Sequence, residues 1–189
     1  MIFREVEDRD LIAKARRGDV EGYNLLVSRW EKRVFNYLLR LVANREDALD
    51  LCQDVFLKAY QNLPKLDDPA RFSGWLFRIA HNEAFSLLRR KRPEIRDGEM
   101  DVESQAAAAE SGGRLFPLEL SLAVDSALKR LSDDQREAVL LKVYQGFKFD
   151  EMAEILDCPL STVKSRLYTA LDVLRSALAP VALRGRPGR

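Results

Sequence analysis

The chain has 189 residues and almost balanced charge, with 31 Lys and Arg against 30 Asp and Glu. This length allows one domain or two small ones, and a hydrophobic fraction of 47% excludes wholesale disorder. The net charge of +1 is unlike that of a nucleic-acid-binding protein, in which a basic excess is expected. A sum says nothing about distribution, so the placement of the charges along the chain has to decide that question.

The residue counts exclude several kinds of site. One histidine (His81) and two cysteines far apart in the chain (Cys52, Cys158) cannot form a zinc site of the usual ligand spacing. The two cysteines give no disulfide framework, which is typical of a reducing compartment. The sequence contains no apolar run of about 18 residues and no signal peptide. We therefore expect a cytoplasmic protein that is not inserted in a membrane and holds no cofactor.

The predicted elements are helical throughout. Apolar residues recur with helical spacing from Tyr23 to Leu41, then over residues 46–61, and again over about 73–91, where Pro93 ends the helix. No segment alternates convincingly between apolar and polar residues. The fold class is therefore predicted to be all-α.

A change of composition divides the chain. Residues 94–118 contain six acidic and two basic side chains together with the pair Gly112–Gly113, a composition typical of a flexible linker. We expect two small helical domains, at residues 8–93 and 119–180, joined by this acidic linker. A basic tail follows at residues 181–189.

The second domain contains the pattern of a helix-turn-helix. Ser132 and Gln135 form a predicted capping box. Further on, residues 149–156 have the pattern of a short helix, which ends in a turn where Asp157 is predicted to be left-handed. Ser161 is then predicted to cap a longer helix. A short helix, a tight turn and a longer helix together make a helix-turn-helix.

Polar and aromatic residues lie on the outer face of that longer helix, opposite its apolar stripe. Hydrogen-bonding groups near a helix N-terminus are suited to the major groove of DNA. The alternative is an ordinary solvated face on a structural helix pair. The face consists of Lys164, Ser165, Tyr168, Thr169 and Asp172.

Two helices of the first domain differ in charge. Residues 71–92 carry six basic side chains and one acidic side chain. Cations, aromatic rings and an amide share the predicted outer face of this helix, and such a mixture suits unpaired nucleic acid. The alternative is that Trp75 and Phe85 belong to the core. Helix 46–61 has instead an acidic face that repels phosphate; it suits docking to a basic protein helix, unless it is merely solvated.

Three segments in combination resemble a known family. They are DALDLCQDVFLKAY (47–60), FSGWLFRIAHNEAFSLLRRKRP (72–93) and LSDDQREAVLLKVYQGFKFDEMAEILDCPLSTVKSRLYTALDVLR (131–175). Their order and spacing resemble those of the extracytoplasmic-function (ECF) sigma factors of bacteria, of the envelope-stress type, over about residues 8–180. The resemblance implies two helical domains, binding to core RNA polymerase, and promoter recognition, melting and transcription initiation. It also implies an anti-sigma factor, usually membrane-anchored, and no small-molecule substrate or catalytic activity.

The resemblance also implies roles for individual residues. Polymerase docking maps to Asp50, Gln53, Asp54, Phe56 and Lys58. Recognition and opening of the minus-ten element map to Leu66, Arg71, Trp75, Arg78, Asn82 and Ser86, beside the basic Arg89 and Arg90. Recognition of the minus-thirty-five element maps to Ser161, Thr162, Lys164, Ser165, Arg166, Tyr168 and Thr169. Two departures affect these roles: Leu49 stands where an acidic residue is common, and Lys164 and Thr169 stand where Arg is frequent.

One alternative function shares part of this pattern. A two-domain helix-turn-helix regulator, with an N-terminal domain that binds a partner and no role in the polymerase, would also read DNA through its second domain. That function gives no reason for the basic and aromatic helix at residues 73–92.

Overall fold

The computed structural model describes residues 6–91 and 118–184, and within them all regular structure is helical. The all-α prediction is therefore confirmed for this part of the chain. The helices form two compact bodies, one centred on α1–α4 and one on α5–α8. The predicted linker up to residue 117, and the tail beyond Arg184, lie outside the described residues. The helices are α1 (Asp8–Arg16), α2 (Val20–Val42), α3 (Arg45–Asn62), α4 (Phe72–Lys91), α5 (Leu118–Lys129), α6 (Asp133–Val139), α7 (Phe149–Leu156) and α8 (Leu160–Arg184).

The long helix α2 forms the centre of the first body. The Asp19 carboxylate accepts a hydrogen bond from the Gly22 N–H and caps the helix, satisfying one of the backbone donors left free at a helix start. The predicted apolar stripe is buried, with Val34 and Leu38 fully inaccessible. The helix ends at Ala43, whose φ of 56° reverses the chain, and Asn44 then caps α3.

Helices α3 and α4 pack against α2 and against each other. Two short 3₁₀ turns, Leu63–Lys65 and Pro69–Arg71, connect them. Salt bridges also join the two helices, from Lys58 to Glu83 at 2.5 Å and from Lys91 to Asp47 at 2.7 Å. The relative placement of the acidic helix and the basic helix is thus fixed within one body.

The second body begins with α5 and the capped helix α6. Both hydrogen bonds of the predicted capping box are present, one donated by the Gln135 N–H to Ser132 Oγ and one donated by the Ser132 N–H to Gln135 Oε1. A single π-helical turn, Leu140–Tyr144, continues α6. Such turns are rare, and the sequence pattern did not predict this one.

Helices α7 and α8 form the helix-turn-helix. Asp157 has a φ of 49°, which confirms the left-handed turn. The predicted cap at Ser161 is wrong, because α8 begins at Leu160 and the Pro159 carbonyl accepts the first N–H bonds, from Thr162 and Val163. On the apolar face of α8, Val163 and Ala170 are fully buried, whereas Leu171 is 38% exposed.

Candidate nucleic-acid and polymerase interfaces

The segment before α4 places one predicted site residue inside the protein. Leu66 is only 5% exposed, so its side chain packs in the core of the first body and is not presented to a nucleic acid. The predicted role of Leu66 in the minus-ten element stays a prediction, and its burial does not favour a contact made by the side chain. The neighbouring Lys65, Asp67 and Asp68 are exposed instead. The sequence pattern could not predict that Leu66 is buried and its neighbours exposed, because a loop has no periodicity that distinguishes inward from outward residues.

The outer face of α4 combines cations, an amide and a partly exposed indole. The predicted contact residues of α4 differ in exposure. Trp75 and Ser86 are half-buried, and the exposed ones are Arg78, Asn82, Arg89 and Arg90. The opposite face is buried through Leu76, Phe77, Ala80 and Ala84, which sets the orientation of the helix. Arg71 is exposed just before the helix begins.

Both interpretations of Trp75 hold in part. Its ring lies 5.9 Å from that of Phe72, a distance typical of packed aromatic pairs, yet the residue is not fully covered. Phe85, further along the helix, is also half-buried and lies 4.6 Å from the His81 ring. The face can therefore attract phosphates and offer ring surface to an unpaired base.

Helix α3 presents an acidic and apolar face. Asp50, Gln53 and Asp54 are exposed, and they alternate with Leu49 at 47% exposure and Leu57 at 56%. These five residues, at helical spacing, are called the α3 face. Exposed leucines beside carboxylates on one helix face suit contact with a basic protein partner that offers apolar side chains.

Two residues predicted to dock the polymerase have other contacts. Phe56 is 9% exposed, so its ring belongs to the core, and its carbonyl accepts a hydrogen bond from the Tyr23 hydroxyl. Burial raises the pKa of Tyr23 to about 12, which keeps this phenol protonated as the donor. The Lys58 ammonium pairs with Glu83. The Phe56 ring therefore lies inside the first body, whereas Lys58 is exposed and paired with a residue of α4. Their predicted contacts with the polymerase stay predictions.

The exposed face of α8 is continuous. Five exposed residues lie on one side of the helix by their spacing: Ser161, Lys164, Ser165, Tyr168 and Thr169. Four of them are polar, and the aromatic Tyr168 is 57% exposed. We call these five residues the α8 face. Side chains that donate and accept hydrogen bonds on one exposed face can meet base edges in a major groove.

The remaining residues predicted in α8 lie partly inside the second body. Thr162 is half-buried. Arg166 pairs with Asp134 at 3.3 Å and also lies 3.9 Å from the sulfur of Cys158, so its guanidinium ties α8 to α6 and to the turn. The Lys164 ammonium lies 5.7 Å from the centre of the Phe149 ring. This contact between α8 and α7 was not anticipated from the sequence.

Other kinds of site are absent from the part of the chain that the structure describes. Residues 6–91 and 118–184 contain no cluster of His, Cys, Asp or Glu that could hold a metal ion. Within the same ranges no helix is both long and apolar enough to cross a membrane. Burial raises the pKa of Cys52 to about 11, so this thiol stays protonated at neutral pH and is a poor nucleophile.

The two bodies coincide with two known protein families. The sigma-70 region 2 family matches residues 26–94, and the sigma-70 region 4 family matches residues 121–174. The chain is thus built as a two-region RNA polymerase sigma factor.

Relatives over nearly the whole length narrow this class. The chain is 32% identical to the ECF RNA polymerase sigma-E factor of Escherichia coli, covering 95% of this chain and 98% of that protein. It is 29% identical to the RNA polymerase sigma-H factor of Pseudomonas aeruginosa, with the same coverage. A solved structure of the sigma factor RpoE with the anti-sigma factor NepR from Bartonella quintana is similar, with a TM-score of 0.72, 28% identity and coverage of 85% of this chain and 98% of that one. The chain belongs to the ECF RNA polymerase sigma factors.

Proposed function

We propose that this ECF sigma factor divides promoter recognition between its two bodies. The first body docks on core RNA polymerase through the α3 face, and it opens and reads the minus-ten element with α4 and the segment before it. The second body reads the minus-thirty-five element with the α8 face. The protein acts by binding, without a catalytic step of its own, in the cytoplasm where its polymerase works.

The separation of charge within the first body is the observation that carries this proposal. The α3 face exposes Asp50 and Asp54, whereas α4 exposes Arg78, Arg89 and Arg90. An acidic face repels phosphate, and a basic one attracts it. A rigid body with both faces can bind DNA through its basic face and a protein partner through its acidic face. A DNA-binding regulator without a role in the polymerase gives no reason for the basic and aromatic helix α4 beside the acidic face.

Opening a duplex costs stacking energy, and α4 offers groups that recover part of it. An unpaired base can stack on an aromatic ring, a contact worth about 1–3 kcal/mol, and Trp75 is half-buried in the position where that ring surface is offered. Asn82 lies further along the same face and is exposed, so its amide can bond to a base edge. The arginines hold the phosphates of the strand in register.

We also propose that a protein partner regulates the chain by covering these faces. The similar solved structure contains a sigma factor bound to an anti-sigma factor. By analogy, an anti-sigma factor, membrane-anchored in our proposal, binds this chain and hides its polymerase and promoter contacts. Exposed leucines on α3 and the exposed Tyr168 on α8 give such a partner apolar surface to bury.

The test is reconstitution with core polymerase. The full chain is expected to co-purify with core enzyme and to direct run-off transcription from a promoter selected with the resulting holoenzyme. The double substitution Asp50→Lys with Asp54→Lys reverses the charge of the α3 face and is expected to abolish core binding, whereas Glu21→Lys, at an exposed position of α2, serves as the control for added positive charge. A chain that binds duplex DNA tightly but neither binds nor redirects polymerase is a regulator of the alternative kind, and the proposal is then wrong.

A further inference from the structure

Helix α1 holds the segment that precedes α4. Arg16, in the last turn of α1, donates a hydrogen bond from Nε to the Leu63 carbonyl at 3.2 Å and a second one from Nη2 to the Leu66 carbonyl. One planar guanidinium therefore bridges the first residue of the 3₁₀ turn Leu63–Lys65 and the residue that follows the turn. Because its donors form a rigid fork, Arg fixes the relative position of two acceptors in a way that a single ammonium cannot.

The rest of α1 is packed in the core and so fixes the position of Arg16. Leu11 and Ile12 are 1% and 0% exposed, and Ala15 is 7% exposed, so the helix is packed on the body that Arg16 joins to the segment. The matched range of the region 2 family begins at residue 26, after α1. The role of α1 is thus visible in the structure and not in the family match.

The segment that Arg16 holds has buried anchors and an exposed polar surface. The side chains of Leu63 and Leu66 are 1% and 5% exposed, while Lys65, Asp67 and Asp68 are exposed. With both signs of charge present, this surface is poorly suited to phosphate alone, because carboxylates repel it. Carboxylates accept hydrogen bonds from the amino groups of bases, so the surface suits an unpaired base.

We propose that Arg16 is a positioning residue for recognition of the minus-ten element. This inference rests on the function proposed above and assigns Arg16 a part in it. By fixing the Leu63 and Leu66 carbonyls, Arg16 holds Lys65, Asp67 and Asp68 in the geometry that selects an unpaired base. Arg16 touches no base itself. Without the bridge the segment samples more conformations, and its preference for one base over another falls.

The experiment measures base selectivity with holoenzyme made from core polymerase and the full chain. The wild type first selects a preferred sequence from forked DNA with a randomised, unpaired minus-ten strand. Binding to forks with single base changes is then compared for Arg16→Ala, Arg16→Lys and the control Arg9→Ala, which removes a charge from an exposed position of the same helix. Selectivity at the minus-thirty-five element is measured in parallel on duplex DNA.

Arg16→Ala is expected to lower selectivity about tenfold at one or two minus-ten positions, the size of one lost charged hydrogen bond. The selectivity of Arg16→Lys is expected to lie between those of the wild type and Arg16→Ala, since Lys keeps the positive charge but lacks the forked pair of donors. Arg9→Ala and all minus-thirty-five preferences stay at the wild-type level. A bridge that only stabilises the fold would lower both selectivities together.

Three outcomes overturn the inference. The first is wild-type selectivity in Arg16→Ala, and the second is an equal loss of selectivity at both promoter elements. The third applies where Arg16→Ala does not assemble with core enzyme, and it is wild-type selectivity in Arg16→Lys. A wild-type holoenzyme that shows no base preference on forked DNA contradicts the proposed function itself, which separates the two failures.

Discussion

Lys164 lies in the middle of the α8 face, with its ammonium near the Phe149 ring. If it reads a base, Lys164→Ala weakens binding to the minus-thirty-five element by about 1–3 kcal/mol, and the loss is concentrated at one base pair. The measurement is the affinity of the holoenzyme for a panel of duplexes with single substitutions. The comparison is Lys148→Ala, which removes a charge outside the α8 face. A uniform loss over the whole panel would show that Lys164 contacts phosphate instead.

The same residue scale shows what the sequence pattern could and could not predict. Outward-facing polar positions on α4 and α8 follow from helical periodicity, because the apolar stripe fixes the opposite side. Leu66 and Phe56 are buried although the family resemblance implied contacts for them. A motif match specifies which residue type occupies a position, but it does not specify whether the side chain or the backbone is used there.

Two of the residues predicted to contact a partner also form ion pairs within the protein. Lys58 and Arg166 were predicted to be partner contacts, and in the structure they pair with Glu83 and Asp134. Both partners are distant in the sequence, and no local pattern reports such a pair. The arginine bridge of α1 escaped prediction for the same reason, since its acceptors are backbone carbonyls about 50 positions away.

Among the helices, two serines were predicted to be caps and the structure keeps only one. Ser132 Oγ accepts the Gln135 N–H, whereas Ser161 lies inside the first turn of α8. We expect Ser132→Ala to lower the free energy of unfolding of the second body by about 1 kcal/mol. Ser161→Ala is expected to change it by less than about 0.5 kcal/mol.

Urea or thermal denaturation of the full chain without DNA provides the measurement, and each serine is the control for the other. An equal cost for the two substitutions would mean that Ser161 caps α8 after all. Because Ser161 also lies on the α8 face, its substitution is expected to affect DNA binding while leaving stability nearly unchanged. Ser132→Ala is expected to lower stability while leaving DNA binding nearly unchanged.

Helix bounds were predictable where a breaker or a cap marks them. Helix α7 has the predicted bounds Phe149–Leu156, and α4 differs by one residue from the predicted start. The π turn at Leu140–Tyr144 has no such mark. Its apolar residues continue the pattern of α6, and only packing in three dimensions selects the wider turn. The start of α8 was misplaced because Pro159, with a fixed φ and no N–H, can itself precede a helix.

At the scale of the whole molecule, the net charge of +1 conceals a division of roles. Basic side chains are concentrated on α4, and carboxylates on the α3 face of the same body. In the proposed function these two surfaces of one body meet a nucleic acid and a protein, so charges of opposite sign partly cancel in the sum. A net charge predicts partners only when a single surface dominates the molecule, which is not the case here.

The length of the linker tests whether the polymerase or the chain itself sets promoter spacing. If core enzyme holds each body, an insertion of Gly and Ser after Gly113 that doubles residues 94–118 lowers promoter affinity by only about 0.6 kcal/mol, the extra entropy of a longer loop. The preferred distance between the two promoter elements stays unchanged. Holoenzyme binding to promoters with varied spacer length measures both quantities, and the same insertion added after Arg189 is the control. A preferred spacing that shifts or broadens with the insertion would show that the linker sets the distance, and the two bodies would then act as a tethered pair on DNA.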